Sequence, residues 1–181
     1  MPLTITIPEN ELFDYPNQMF INIPQTTITL EHSLISISKW EAKWHKPFLT
    51  KDQKTNEEML YYVQCMSTKG DIPRNVLLCL TEDNFRDIKA YIEDPMTATT
   101  IREDPNKRQA TNFLTSELIY SWMIGFNVPV EFEKWHINRL MMLLRVLEEN
   151  NKEPKKRSQA DIIREYQRRN AANKAKFKSK G

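Results

Sequence analysis

The side chains with the greatest chemical reach in this sequence are His32, His45, His136, Cys65 and Cys79, and their spacing decides what they can do. Glu41 precedes His45 by four residues and Glu133 precedes His136 by three, so each pair shares a helix face. A di-iron bundle site needs two Glu-x-x-His pairs and two further glutamates. Here only Glu133–His136 has that spacing, its partner glutamates are missing, and no Cys/His group has zinc spacing. The expectation is that there is no metal site and that His136 is a half-buried hydrogen-bonding residue beside Trp135. Cys65 and Cys79 fall on apolar helical faces, where a thiol is inert core rather than a nucleophile. Their spacing fits neither a redox pair nor a disulfide scaffold. Glu57-Glu58 reads as a cap and first turn, and Glu148-Glu149 as a solvated helix end. Glycine stands only at Gly70, Gly125 and Gly181, which leaves no phosphate-cradling loop and no nucleophile elbow. The sequence thus predicts no catalytic residues, no metal and no cofactor.

Binding chemistry is better represented. The formal net charge of +2 hides an asymmetry: Lys152 to Gly181 holds eleven Lys or Arg against three acids, and the rest fifteen against twenty-one. An acidic body therefore carries a basic tail. Lys155, Lys156, Arg157, Arg164, Arg168, Arg169, Lys174, Lys176, Lys178 and Lys180 would attract an acidic protein surface or phosphate. Only Tyr166 and Phe177 interleave with the charges, which weakly supports single-strand recognition, so nucleic acid ranks third, behind an acidic protein surface and a merely solubilising tail. The acidic body of a neighbouring copy is a further acceptor, in a head-to-tail arrangement that builds rings or filaments. Trp122 and Trp135 sit at core spacing. Trp40 and Trp44 lie among Lys39, Lys43, His45 and Lys46 on a short helix and are candidates to face a partner.

The elements that must position these residues are mainly helical. Hydrophobic content of 40% and aromatic content of 10% indicate a globular chain. Residues 1–37 read as a small β element or docking arm: Leu3, Ile5 and Ile7 alternate with threonines, as do Ile28 and Leu30, and Phe20, Ile21 and Ile23 supply another strand. Pro8, Pro16 and Pro24 limit the strand lengths. Residues 38–151 form the helical body. Ser38 with Glu41 reads as a capping box for a helix through Trp40 and Trp44, closed by Pro47. Thr55 with Glu58 caps a second helix bearing Met59, Tyr62, Val63 and Met66, ended by Gly70. A short third helix follows Pro73, with Val76, Leu77 and Leu80 inward. Thr81 caps a fourth with Phe85, Ile88, Tyr91 and Ile92 on its face.

Residues 95–112 read as a long polar loop. Thr115 or Ser116 then caps a helix bearing Leu118, Ile119, Trp122 and Met123. The strongest helix is expected from Val130 to Asn150, with Phe132, Trp135, Leu140, Leu143, Leu144 and Leu147 covering most of its circumference, and so at the centre of the fold. Trp122, Trp135, Leu140 and Leu144 are the expected core. In the basic helical tail, 152–181, Ser158 and Asp161 open a helix whose apolar stripe of Ile162, Ile163, Tyr166 and Phe177 is too thin for a core. The opening residues lack a charged, apolar-rich leader, and no run reaches the roughly 18 apolar residues of a membrane span.

Several runs resemble a family of tailed-bacteriophage proteins encoded among the tail genes: Ser38-Lys39-Trp40-Glu41-Ala42-Lys43-Trp44 with Lys46-Pro47-Phe48-Leu49, and Pro95-Met96-Thr97-Ala98-Thr99-Thr100. Thr115-Ser116-Glu117-Leu118-Ile119-Tyr120, Asn170-Ala171-Ala172 and, most distinctively, Lys134-Trp135-His136-Ile137-Asn138-Arg139-Leu140 complete the set. The resemblance covers about residues 30–181. It implies a tail assembly chaperone or small virion structural protein without enzymatic activity. It further implies a place in the virion or host cytoplasm, and other tail or virion proteins, or further copies of itself, as partners.

Overall fold

Alternating threonines and branched aliphatics at both ends of the first thirty residues pair with each other. Strand β1 (Leu3–Ile7) runs antiparallel to β4 (Thr26–Leu30), with Ile5 opposite Ile28 and Leu3 opposite Leu30. One face of the pair buries Ile5, Ile7, Ile28 and Leu30. On the other face, the Thr6 and Thr27 hydroxyls lie 3.3 Å apart. Between these strands the chain makes an excursion, the hairpin of β2 (Asn10–Asp14) and β3 (Met19–Ile23), which forms its own two-stranded sheet. Pro8, Pro16 and Pro24 all fall between strands, where a missing N–H costs no ladder bond.

The structure, a computed structural model, describes residues 1–100, 114–151 and 159–177. Beyond the strands it is mainly α: α1 (Leu34–Trp44), α2 (Asn56–Met66), α3 (Arg74–Leu78), α4 (Glu82–Glu93), α5 (Ser116–Gly125), α6 (Ile137–Asn151) and α7 (Gln159–Phe177). A 3-10 turn, Val130–Lys134, precedes α6. The chain divides into two compact units, Met1–Leu147 and Glu148–Gly181: the β element and α1 to α5 belong to the first, α7 belongs to the second, and the boundary falls within α6.

Caps explain most helix starts. Thr55 and Thr81 accept from the N–H groups of Glu58 and Asn84, whose side chains accept from the cap N–H in return. Thr115 accepts from Leu118. The first helix differs from expectation. Its reciprocal box is Ser33 with Ser36, so α1 starts inside the stretch assigned to the β element and Ser38 lies within it. Gly70, at φ +102, stands in the loop after α2 rather than at its end, which is at Met66. Leu80 lies beyond α3 and is half-buried.

The expected central helix is split. Trp135 is extended, at φ −72 and ψ 157, so Phe132 and Trp135 lie outside α6. The reason is a competing set of hydrogen bonds. Ile137 N–H donates to the His32 carbonyl at 2.7 Å, His136 forms a bridge with Ser33, and the His136 Nδ1 accepts from Asn138 N–H at 3.3 Å, acting as an N-cap. Within α6 only Ile137, Leu140 and Leu144 are fully buried, a single stripe. The core is shared instead among Ile7, Leu30, Leu34, Ile37, Trp40, Tyr62, Val63, Ile88, Ile119 and Leu140.

Candidate partner-binding surfaces

Four of the five histidines and cysteines, His32, His136, Cys65 and Cys79, are buried in the core. His32 and His136 are buried, with ring centroids 5.0 Å apart. His32 Nδ1 is hydrogen-bonded to the Tyr62 hydroxyl, which lies 3.3 Å from Ser36 Oγ. Ser36 Oγ donates to the Ser33 carbonyl at 2.7 Å. Protons in this chain are all satisfied if each member donates to the next. His136 Nε2 donates to the Tyr91 carbonyl at 3.0 Å while its Nδ1 is an acceptor, which fixes the neutral tautomer. Burial, with the neighbouring His136, lowers the His32 pKa to about 3. His136 is also lowered, first by burial. Neutral rings with committed nitrogens are structural, and among the described residues no group of three or more His, Cys, Asp or Glu side chains could hold a metal. Burial pushes the Cys65 thiol up, away from the reactive thiolate. Cys79 is buried too.

Glu41 is not the N3 member of a capping box. Its buried carboxylate accepts from Phe48 N–H and from Ser116 N–H, each at 2.8 Å, and so joins α1 to the loop after it and to the first residue of α5. His45, in the left-handed conformation, ends α1 and is exposed. Lys46 pairs with Glu58 at 2.8 Å, and that bond with the Thr55 N–H holds the Glu58 carboxyl below its usual range.

The tryptophans are distributed differently from expectation. Trp40 is 2% exposed and donates from Nε1 to the Glu58 carbonyl at 2.9 Å. Trp44 is half-buried, and its indole N–H has no partner among the described residues. The lysines around them fold back over rings: Lys43 Nζ lies 3.7 Å from the Tyr61 centroid and 5.3 Å from Trp44, and Lys54 Nζ lies 4.6 Å from Phe48. Lys43 and Lys54 thus pack on aromatic rings of the body, while Lys39 and His45 are exposed, and Trp40 itself is buried. Conversely, Trp122 is not core: it is 40% exposed. Ile119 and Met123 form the buried line of α5, and Leu118 and Trp122 a parallel line one residue back, turned out. Trp135 is half-buried, stacked on Phe132 at 4.0 Å with the Arg139 guanidinium 4.1 Å from its ring. Leu140 and Leu144 are core as expected.

Two surfaces remain open. The first is the β2–β3 hairpin. Leu12 and Ile23 turn inward, with Ile23 2% exposed. On the opposite face Phe13 pairs across the strands with Phe20, their rings 5.1 Å apart, and Tyr15 packs edge-on to Phe13 at 5.0 Å. Phe13, Tyr15 and Phe20 are 41, 81 and 67% exposed. The turn is held by Asn17 donating to Asp14 at 2.6 Å and by Gln18 at φ 50. An exposed aromatic cluster of this kind makes the hairpin's outward face a candidate contact surface. The individual apolar residues of Asn10–Asp14 stand between Asn, Glu and Asp, which is why the strand and its outward phenylalanine escape a reading by alternation.

The second surface is α7. Every side chain from Ile163 to Phe177 is exposed, including Arg164, Arg168, Arg169, Lys174 and Lys176. Lys155, Lys156, Arg157, Lys178 and Lys180 lie outside the described residues, as do Ser158 and most of the polar loop. A cleft of about 210 Å³ beside α2 and α3, lined by Lys43, Tyr61, Gln64, Arg74, Leu77 and Leu78, is smaller than ordinary ligand pockets.

Comparison with protein-family models, with curated proteins and with solved structures gives no match. No helix among the described residues is long and apolar enough to cross a membrane.

Proposed function

We propose that this chain is a non-enzymatic tail assembly or virion structural protein of a tailed bacteriophage, working through protein–protein contacts in the virion or the host cytoplasm. The observation that carries the reading is the outward face of the β2–β3 hairpin, where Phe13, Tyr15 and Phe20 form an exposed aromatic cluster. Aromatic anchors of this kind dominate contact energetics once a partner removes them from water. The burial of His32 and His136 as neutral rings and of both thiols supports a reading without catalysis, and the family resemblance supplies the setting. Immunogold labelling of mature particles and of tail intermediates with an antibody to this chain tests it. Label on mature tails means a structural component, label on intermediates alone means a chaperone, and label on neither overturns the proposal.

The exposed bases of α7 favour a second reading, nucleic-acid binding through the tail. It requires DNA affinity that falls steeply with salt and is lost when residues 152–181 are deleted. No binding at low salt ends it.

A further inference from the structure

We propose that the outward face of the β2–β3 hairpin is the docking site for α7 of a second copy of this chain; the inference rests on reading that hairpin as a contact surface. Charge and pattern select the occupant. Between Pro8 and Pro24 the hairpin carries Glu9, Glu11 and Asp14 and no Lys or Arg. Glu11 shares the outward face with Phe13 and Phe20, two positions along the strand. Two hairpins brought face to face would set these acids against each other. A nucleic acid would meet the same repulsion.

α7 has the complementary character. Ile163, Tyr166, Asn170, Asn173 and Phe177 recur at alternating three- and four-residue intervals and form one stripe. Ile163, Tyr166 and Phe177 are 55, 61 and 71% exposed. Arg169 and Lys176 border the stripe on one side and Lys174 on the other. Five bases against Asp161 and Glu165 leave Gln159–Phe177 with a net charge of +3, matched to the −3 of the hairpin. Two α7 helices packed stripe to stripe would oppose lysines and arginines, so self-pairing of the helix is disfavoured. The stripe from Ile163 to Phe177 is about 21 Å long, and a five-residue strand spans about 17 Å. The dimensions therefore agree.

Each copy carries one hairpin and one α7, so the contact is heterologous and propagates from copy to copy into a ring or a filament. Both surfaces are exposed, which lets each be changed without touching the core. The test is light scattering on the full chain at about 100 μM, a concentration that populates contacts of moderate affinity. The wild type should exceed monomer mass. A Phe13→Ser/Phe20→Ser variant and a Tyr166→Ser/Phe177→Ser variant should each be monomeric. Their equimolar mixture should form a dimer and stop there, because it contains one intact hairpin and one intact α7. Circular dichroism checks that each variant is folded. Should the serine hairpin unfold, Glu9→Lys/Glu11→Lys replaces it, with association weakened at least about tenfold at low salt. A monomeric wild type, a variant that keeps wild-type mass, or a mixture that stays monomeric overturns the docking. Particle labelling still decides the assembly role independently.

Discussion

His32 and His136 stand edge to face with ring centroids 5.0 Å apart, one at the end of the β element and the other at the start of α6. The segments join through the Ile137 N–H and the His32 carbonyl, and both rings are folded in neutral. His32 holds its pKa near 3, whereas the unfolded chain takes up the same proton near pH 6.5. Because the folded value is depressed, stability is complete above pH 6.5 and falls as pH drops toward 3. His136, lowered as well, acts in the same direction. His32 alone should remove about 2 kcal/mol between pH 7 and pH 5. Urea midpoints at the two pH values measure it. His32→Gln, which keeps a hydrogen-bonding group for Tyr62, should flatten the dependence; an unchanged slope would show that other groups set it.

Glu41 serves two backbone N–H groups that have no solvent to turn to, those of Phe48 and Ser116. Removing the carboxylate strands both. Glu41→Ala should cost about 3 kcal/mol, while Glu41→Gln, which keeps one acceptor, should cost about half as much. Denaturant unfolding at pH 7 distinguishes them. Equal costs would mean that packing, not hydrogen bonding, is what Glu41 contributes.

The neighbouring tryptophans Trp40 and Trp44 should respond oppositely to the same change. Trp40→Phe removes the indole donor to the Glu58 carbonyl and opens space in the core, at a cost of about 2 kcal/mol. Trp44→Phe removes an N–H that lacks an acceptor among the described residues, so it should be neutral to within about 0.5 kcal/mol or stabilising. Thermal unfolding of the two variants decides this.

Much of the mainly helical architecture is legible in local chemistry. Thr55, Thr81 and Thr115 satisfy orphan N–H groups within a few residues of themselves, so their caps can be read from spacing. What escapes depends on distant partners. Ser33-x-x-Ser36 and Ser38-x-x-Glu41 are successive candidate boxes, and the second is not used because the Glu41 carboxylate is taken by Phe48 and by Ser116, far along the chain. The break before α6 escapes because its apolar residues continue a helical pattern, while His136 leaves it to pair with Ser33. Trp122 escapes because α5 is apolar on two adjacent lines and only the packing partner of one decides which is buried. The basic surface of α7 is legible from composition alone. The hairpin surface is not: Phe13 and Phe20 become one cluster only once the register is set.

Asn138 accounts for much of what the Lys134–Leu140 run does. Its Nδ2 donates to the carbonyls of Ile92 at 3.0 Å and Asp94 at 2.7 Å, at the C-terminal end of α4, where helical carbonyls lack intrahelical donors. Beside it, His136 Nε2 donates to the Tyr91 carbonyl. The two side chains therefore tie the start of α6 to the end of α4 by donors alone. Asn138→Ala removes both bonds, and water can reach only the exposed part of the site, so a cost of about 1–2 kcal/mol is expected. Asn138→Asp is nearly the same size but turns the donor into a charged acceptor facing two carbonyls. It should cost more than alanine at pH 7, by about 1 kcal/mol or more, with the gap narrowing as acid protonates the new carboxylate. Unfolding curves at pH 7 and pH 4 test this, and an aspartate variant as stable as the alanine one at pH 7 would overturn it.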